Sequence, residues 1–464
     1  MIKKVRFKMS LFLNYYYLFS LTMPLQEKKE VRETTLVLAE SDILIKHRRA
    51  YRNLTQNYII SERFITQLPV INAQAKDKFA DLPTTINKEE NRTIVEFKHR
   101  KPIKPRDICA AELSLLIDDS FTNRIGYLRI IDWPSEDLTD IHFLHTKPFF
   151  VSAIGKVEKN TITPAPGFKS IISHARKGST IRIEYLPKTK PIPSIIWTEE
   201  YSIKNISEEP IEECALKFLV PRNDIKQKVS IKANEKITLS QDSDGNAWAN
   251  ATLHKLQKGE KRKITLMYKI DKTSYSFSND YGNIQFLKSL SEPSSAGRYY
   301  LKGSKLWPVN DIKIQKIARS ILEGQTEIFN IVKLIFEFVN QSFTYEANGV
   351  RLPADEMIKS KRGDCSEFSD LFVTLARACG IPARVCTGYF WGLNGKLEGH
   401  AWCEIFTKQG WMQLDPLHGF LHGVSFQHIL FSKESNDVDY PSYIVKNIGG
   451  EIDIKKTSYV EVKK

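Results

Sequence analysis

The feature that most restricts how this chain can fold is the run Gly363-Asp364-Cys365-Ser366-Glu367 and the apolar pattern behind it. Phe368, Leu371, Phe372, Leu375, Ala376 and Cys379 recur at the spacing of one helical face, which predicts a helix over 365–379. Asp364 reads as its N-cap and Glu367 as the partner in a capping box. Gly380 and Pro382 end it. In this register Cys365 is the first helical residue, where unpaired amides and the positive end of the helix dipole favour a thiolate over a thiol.

Three strands are expected next, over 384–391, 400–406 and 411–415, with a turn at 393–396. His400 opens one of them and Asp415 closes a neighbour. Antiparallel pairing would bring imidazole and carboxylate together, with the helix presenting Cys365 opposite. That order of groups suits acyl transfer to sulfur. The imidazole takes the thiol proton and later protonates the leaving amine, while the carboxylate fixes the ring's tautomer and stabilises the imidazolium. Cys365, His400 and Asp415 are therefore the candidate catalytic residues. The Cys365 amide is a candidate oxyanion donor, with a second donor unassigned.

These blocks resemble the transglutaminase-like superfamily of papain-type cysteine enzymes. The resemblance rests on Gly363-Asp364-Cys365, on the run Leu-Ala-Arg-Ala-Cys-Gly-Ile-Pro-Ala-Arg over 375–384, on His400-Ala401-Trp402-Cys403-Glu404, and on Gly-Trp-Met-Gln-Leu-Asp-Pro over 410–416. It implies Cys365 as nucleophile, His400 as general base and acid, and Asp415 as the residue orienting His400. Animal transglutaminases carry a Trp directly after the nucleophile and another some way upstream. Here Ser366 follows Cys365, and 350–361 contains no Trp. The chain looks more like the bacterial members with the Gly-Asp-Cys form, which resemble peptidases or amidases and carry a β-sandwich ahead of the catalytic domain. Hydrolysis of an amide is the expected reaction. Cross-linking of Gln to amines is one alternative, and a binding or scaffold protein with a relic triad is another.

Other residues have plainer readings. Cys379, Cys386 and Cys403 have apolar neighbours and no Cys-x-x-Cys pairing, so they are expected in the core. His418, His422 and His428 carry helix-like spacings, but no acidic or thiol partner stands among them, so no metal site and no cofactor is assigned. Tyr389, Trp391, Trp402 and Trp411 lie on the strands around the triad and divide between groove and core. Cys109 and Cys214 are not assigned as a disulfide, because pairing depends on distances that sequence does not give.

The length of 464 residues exceeds one hydrophobic core. The expected organisation is a signal peptide or anchor over 1–24, a region of uncertain fold over 25–130, an antiparallel and immunoglobulin-like β-sandwich over 131–290, a papain-like catalytic domain over 291–445, and a C-terminal strand and tail over 446–464. The fold class is α+β. The sandwich is read from period-two alternation such as Ile264, Leu266, Tyr268 and Ile270. Ser291-Glu292-Pro293-Ser294-Ser295-Ala296-Gly297 reads as the linker. Asn310 or Asp311 is expected to cap one helix and Thr326 the next. Lys3, Lys4, Arg6 and Lys8 precede an apolar stretch over 9–23, the pattern of an export leader. Export to the periplasm or medium is expected, with a cytoplasmic protein as the alternative. Membrane contact is expected only through an uncleaved leader. A formal net charge of +14 favours anionic partners, such as an anionic envelope component. Nucleic acid is not expected, since no zinc finger, RNA-binding signature or phosphate loop is present. The expected substrate is a protein or peptide amide.

Overall fold

A computed structural model describes residues 30–38, 42–125, 128–135, 138–143, 157–165, 168–175, 179–186, 192–273, 281–289, 298–347, 349–392, 396–421, 423–434 and 441–463. The segment expected as a leader, the one expected as a linker over 291–297, the expected turn residues 393–395, and His422 lie outside the described residues. The chain divides into two compact units. One comprises Met1–Glu33, Lys46–Gln67 and Asn72–Leu115, and the other Thr34–Ile45, Leu68–Ile71 and Leu116–Lys464.

The first unit contains an antiparallel sheet in which Arg92–Ile103 lies between Ile59–Thr66 and Thr84–Glu89. Thr93, Val95 and Phe97 are buried on one face of the central strand, as a period of two requires. Glu62, His99 and Cys109 meet in this unit. His99 Nε2 is 3.0 Å and Cys109 Sγ 3.3 Å from the same Glu62 oxygen.

In the larger unit, two four-stranded antiparallel sheets share one core. The first runs Gln227–Ala233, Lys261–Lys272, Ser194–Asn205, Ile452–Lys463. The second runs Thr238–Gln241, Ala247–Leu256, Ile211–Val220, Tyr443–Ile448. Each sheet thus takes one strand from the C-terminal end of the chain. Ile264, Leu266, Tyr268 and Ile270, with the intervening sequence distance of one strand face, are buried against Trp197, Tyr201, Leu216 and Phe218. Glu199 is fully buried in this core, where it accepts hydrogen bonds from Tyr201 and Tyr268 and pairs with Lys456 at 2.6 Å.

A further antiparallel sheet runs Gly410–Leu414, Leu397–Thr407, Ala383–Trp391, His428–Glu434; the first three are the strands expected after the Cys365 helix, and the fourth was not expected. Helices Ile312–Leu322, Ile328–Ser342 and Cys365–Ala378 pack on it through one apolar cluster. Ile314 and Ile321 from the first helix are buried there, as are Ile328, Val332, Ile335, Phe336 and Val339 from the second. Asp311 caps the first helix and accepts from the Lys313 and Ile314 amides. The second starts one residue later than Thr326, at Glu327, with no side-chain cap. Its Ile328 amide donates instead to Gly282 O, while Thr326 O accepts from Ile284, so a backbone bridge satisfies groups a capping hydroxyl would have served.

The outer strand His428–Glu434 joins this sheet to the sandwich core. Phe431 lies 5.0 Å and Tyr389 4.6 Å from the Trp197 ring. Gly388 permits the close approach of that strand, since a Cβ there would stand 2.0 Å from Ile429 O. At the other end of the sheet Glu404 is buried between Arg384 (2.8 Å) and Lys433 (2.9 Å). Burial would raise the Glu404 carboxyl, but Lys433 and Arg384 outweigh it and hold it down at about 2.

Two outcomes follow from this packing. Trp197→Ala empties the contact between sandwich and sheet and should lower unfolding stability by about 3–5 kcal/mol, read by urea denaturation. Because the folded pKa of Glu404 is depressed, its stabilisation is present above the ordinary carboxyl range and lost as pH falls towards 2. Wild type should therefore lose on the order of 3 kcal/mol more than Glu404→Gln between pH 6 and pH 2. Parallel acid losses in the two proteins would refute the assignment.

Candidate active site

The helix that carries Cys365 is Cys365–Ala378, and both halves of the capping box are formed. Asp364 Oδ1 accepts from the Ser366 amide at 2.8 Å, and Glu367 Oε2 accepts from the Asp364 amide at 2.7 Å. Glu367 Oε1 also accepts from Leu352, which ties the preceding loop to the helix. Gly363 makes room for this: a Cβ there would lie 2.7 Å from Glu367 Cβ. At the far end Gly380 adopts φ +82°, with Gly380 N donating to Arg377 O and Ile381 N to Ala376 O. This is a Schellman stop, and Pro382 prevents continuation.

Buried charge pins the helix laterally. Asp370 accepts from the Trp307 indole at 2.6 Å and from Arg351 at 2.8 Å through two nitrogens, and Arg351 reaches on to Glu434 at 2.9 Å. One guanidinium thus links the Cys365 helix to the outer strand of the sheet, a bidentate geometry that resists rotation of the helix.

Burial pushes the Cys365 thiol up to about 11, and the carboxylates of Asp364 and Asp415 add to the rise. The Ala401 amide and the Ser366 side chain act the other way by hydrogen bonding to the sulfur. The expectation of a thiolate at the helix start is thus not met in the resting site. A half-charge at a helix terminus is outweighed by desolvation of the sulfur. The other cysteines of the domain, Cys379, Cys386 and Cys403, are buried core residues, and all six cysteines are free.

His400 lies within Leu397–Thr407 and Asp415 directly after Gly410–Leu414, so antiparallel pairing does bring them together. His400 Nε2 is 2.8 Å from Asp415 Oδ2. This leaves Nδ1 as the ring nitrogen outside that contact. The chain after Asp415 then turns back on itself. Asp415 and Phe420 exchange both backbone hydrogen bonds at 2.8 Å, and Asp415 Oδ1 accepts from the Leu417 and His418 amides. Asp-Pro at 415–416 favours such a turn, because the Asp side chain mimics a backbone acceptor and Pro presets the next φ.

The turn has a consequence that sequence reading missed. His418 Nδ1 and His428 Nε2 each lie 2.9 Å from Asp415 Oδ2, so three imidazoles meet one carboxylate oxygen. The expectation that His418 and His428 have no acidic partner is corrected here, since Asp415 is that partner. The i to i+3 step from Asp415 to His418 was the available signal for the first, whereas His428 arrives on a separate strand. Burial would raise the Asp415 carboxyl, but His400 and His418 hold it well below the ordinary range. Burial lowers His428 to about 3, so that ring is neutral. For His418 burial acts downward too, but Asp415 prevails and raises it.

Cys365 and His400 line one cleft of about 290 Å³, together with Ser366, Gly388, Tyr389, Ala401 and Lys456 among others. Of the aromatic residues read from the strands, Tyr389 lines the cleft. Trp402 is fully buried, its indole donating to Gln413, and Trp411 is covered by the Arg384 guanidinium at 4.1 Å. Trp391 packs against the sandwich core.

Comparison with known proteins bears on the family of part of this chain. Residues 315–416 match the model of the Transglutaminase-like superfamily. The uncharacterized protein YebA of Bacillus subtilis (strain 168) is 29% identical over 136 residues, which is 25% of this chain and 18% of that protein. The protein-glutamine gamma-glutamyltransferase of Pseudomonas aeruginosa is 29% identical over 102 residues, 19% of this chain and 15% of that protein. The chain therefore spans under a fifth of the length of either relative. Among solved structures, a Cytophaga hutchinsonii protein named as a candidate cysteine protease is similar over 59% of this chain and 91% of its own, with a TM-score of 0.45 and 16% identity. The periplasmic domain of TgpA from Pseudomonas aeruginosa is similar over 47% of this chain and 88% of its own, with a TM-score of 0.25 and 13% identity. Residues 315–416 of this chain form a domain of the transglutaminase-like superfamily, whose members are generally cysteine enzymes.

Proposed function

We propose that this protein performs cysteine-dependent acyl transfer on a protein or peptide amide, with hydrolysis as the reaction. The observation that carries the reading is that Cys365, at the first turn of a capped helix, shares one cleft with His400, whose Nε2 is committed to Asp415. Cys365 Sγ attacks the amide carbon while His400 Nδ1 takes its proton. The same nitrogen returns that proton to the leaving amine, giving a thioester. Water, deprotonated by His400, then attacks the thioester and releases acid and thiol. With the resting sulfur held as a thiol, His400 acts as a general base during attack rather than as one half of a preformed ion pair. The Cys365 amide is the proposed oxyanion donor.

Hydrolysis is favoured over joining of Gln to amines by Ser366, which stands where animal transglutaminases carry Trp and which itself lines the cleft. Around this site we assign an α+β class, an immunoglobulin-like character to the sandwich, and export by the basic and apolar leader. The anionic-partner reading rests on the net charge alone.

Cys365→Ala should lower kcat on the order of a millionfold, and Asp415→Asn by about ten-thousandfold through the wrong tautomer. Release of ammonia or a new amino terminus, measured beside incorporation of a labelled amine, decides between the two reactions; amine incorporation outpacing release would overturn hydrolysis. Alkylation of Cys365 by iodoacetamide should climb about tenfold per pH unit from 7 to 10, as a thiol of raised pKa requires. A rate already level at pH 7 would contradict the resting thiol.

A further inference from the structure

We infer that His400, Asp415, His418 and His428 form a zinc site whose occupation switches the thiol chemistry off. The donor atoms are His400 Nε2, Asp415 Oδ2, His418 Nδ1 and His428 Nε2, and all four lie within 4.8 Å of one another. The three nitrogens stand 2.8, 2.9 and 2.9 Å from Asp415 Oδ2, and His418 Nδ1 is 3.2 Å from His400 Nε2. Donors bound at 2.0–2.1 Å around a tetrahedral zinc are separated by about 3.3 Å. Four of the six donor pairs thus stand within about half an ångström of that spacing, and the other two are no more than 4.8 Å apart, so small adjustments of the rings would admit the ion.

The hydrogen-bonding arithmetic points the same way. A carboxylate offers roughly four lone-pair sites, two on each oxygen. Asp415 Oδ1 already accepts two backbone amides, which leaves Oδ2 facing three imidazole nitrogens with two sites. His418 Nδ1 and His400 Nε2 also face each other, where at most one can donate. A divalent cation removes both conflicts, because each nitrogen then offers a lone pair to the metal instead of a proton to the oxygen. Three imidazoles and one carboxylate are a donor set that suits zinc and does not suit magnesium, which prefers oxygen. His400, Asp415 and His428 are buried, while the His418 side chain is 36% exposed and gives the ion a path in.

Four protein ligands close the coordination sphere, so the ion has no open position for substrate or water. Its effect runs through His400. With Nε2 on the metal, the ring's only proton sits on Nδ1, and that nitrogen has no lone pair to receive the Cys365 proton. No bond is made or broken in substrate; each ring binds as a neutral imidazole, any imidazolium proton passes to solvent, and zinc removal restores the starting state. The binding half of this inference stands on geometry alone, while the inhibitory half rests on the reading of His400 as base.

The test uses the full chain with Cys365→Ala and Cys109→Ala, which excludes zinc capture by the nucleophile and by the separate Glu62, His99 and Cys109 group. Calorimetric titration with zinc chloride should show one ion per chain, with no uptake of magnesium. His428→Gln and His418→Gln should each weaken zinc binding about a hundredfold or more. Absence of zinc binding, or affinity unchanged in both variants, would overturn the site. Should a variant fail to fold, cobalt(II) in the chain with all histidines intact decides: strong visible bands of a four-coordinate ion support the site, and weak six-coordinate bands overturn it. In the protein with both cysteines restored, zinc should suppress amide turnover and EDTA should restore it. Zinc binding with undiminished turnover would overturn the inhibitory role, whereas a protein that binds zinc but turns over no amide even after its zinc is removed with EDTA would overturn the proposed function and leave the metal site standing.

Discussion

The Asp415 carboxylate is the interaction on which the site depends. One oxygen closes the turn over 415–420 by accepting two backbone amides, and the other receives His400, His418 and His428. The group is fully buried, so its charge survives only because these donors replace water. Removing it would loosen the turn and the ring together. Local folding and candidate catalysis are therefore not separable at this residue.

A second constraint acts at a distance from the cleft. The helix that begins at Cys365 is held by its cap at one end, by the Schellman stop at the other, and by Asp370 between them. Arg351 connects that aspartate to Glu434 on the outer strand, and the same strand places Phe431 against Trp197 in the sandwich. The sandwich thus supports the sheet that carries His400, and Lys456 from the last strand reaches both the sandwich core and the cleft. Helix, sheet and sandwich set the position of Cys365 jointly, which suits a reaction that tolerates little misplacement of its groups.

The electrostatics of the cleft differ from the pattern expected of a helix-start cysteine. Cys365 is desolvated and flanked by Asp364 and Asp415, and it rests as a thiol. Desolvation scales with burial of the whole sulfur, whereas the helix terminus contributes a fraction of a charge. The resting thiol also protects the sulfur from oxidation, since the thiolate is the reactive form.

Much of the local structure was legible in the sequence. Capping box, helix register, stop signal and the three strand segments around His400 and Asp415 all follow from short-range rules, because each is decided by residues a few positions apart. The same rules placed Cys379, Cys386 and Cys403 in the core. They failed where the answer depended on distant partners. Thr326 lost its capping role to a backbone bridge with 282–284, the thiol's state was set by burial, and His418 and His428 found their acid only through a tight turn and a separate strand. Sequence determined which groups exist and which local element presents each one. Tertiary structure alone decided which groups meet and how much water remains around them, because proximity and desolvation are properties of the packed chain and not of any segment of it.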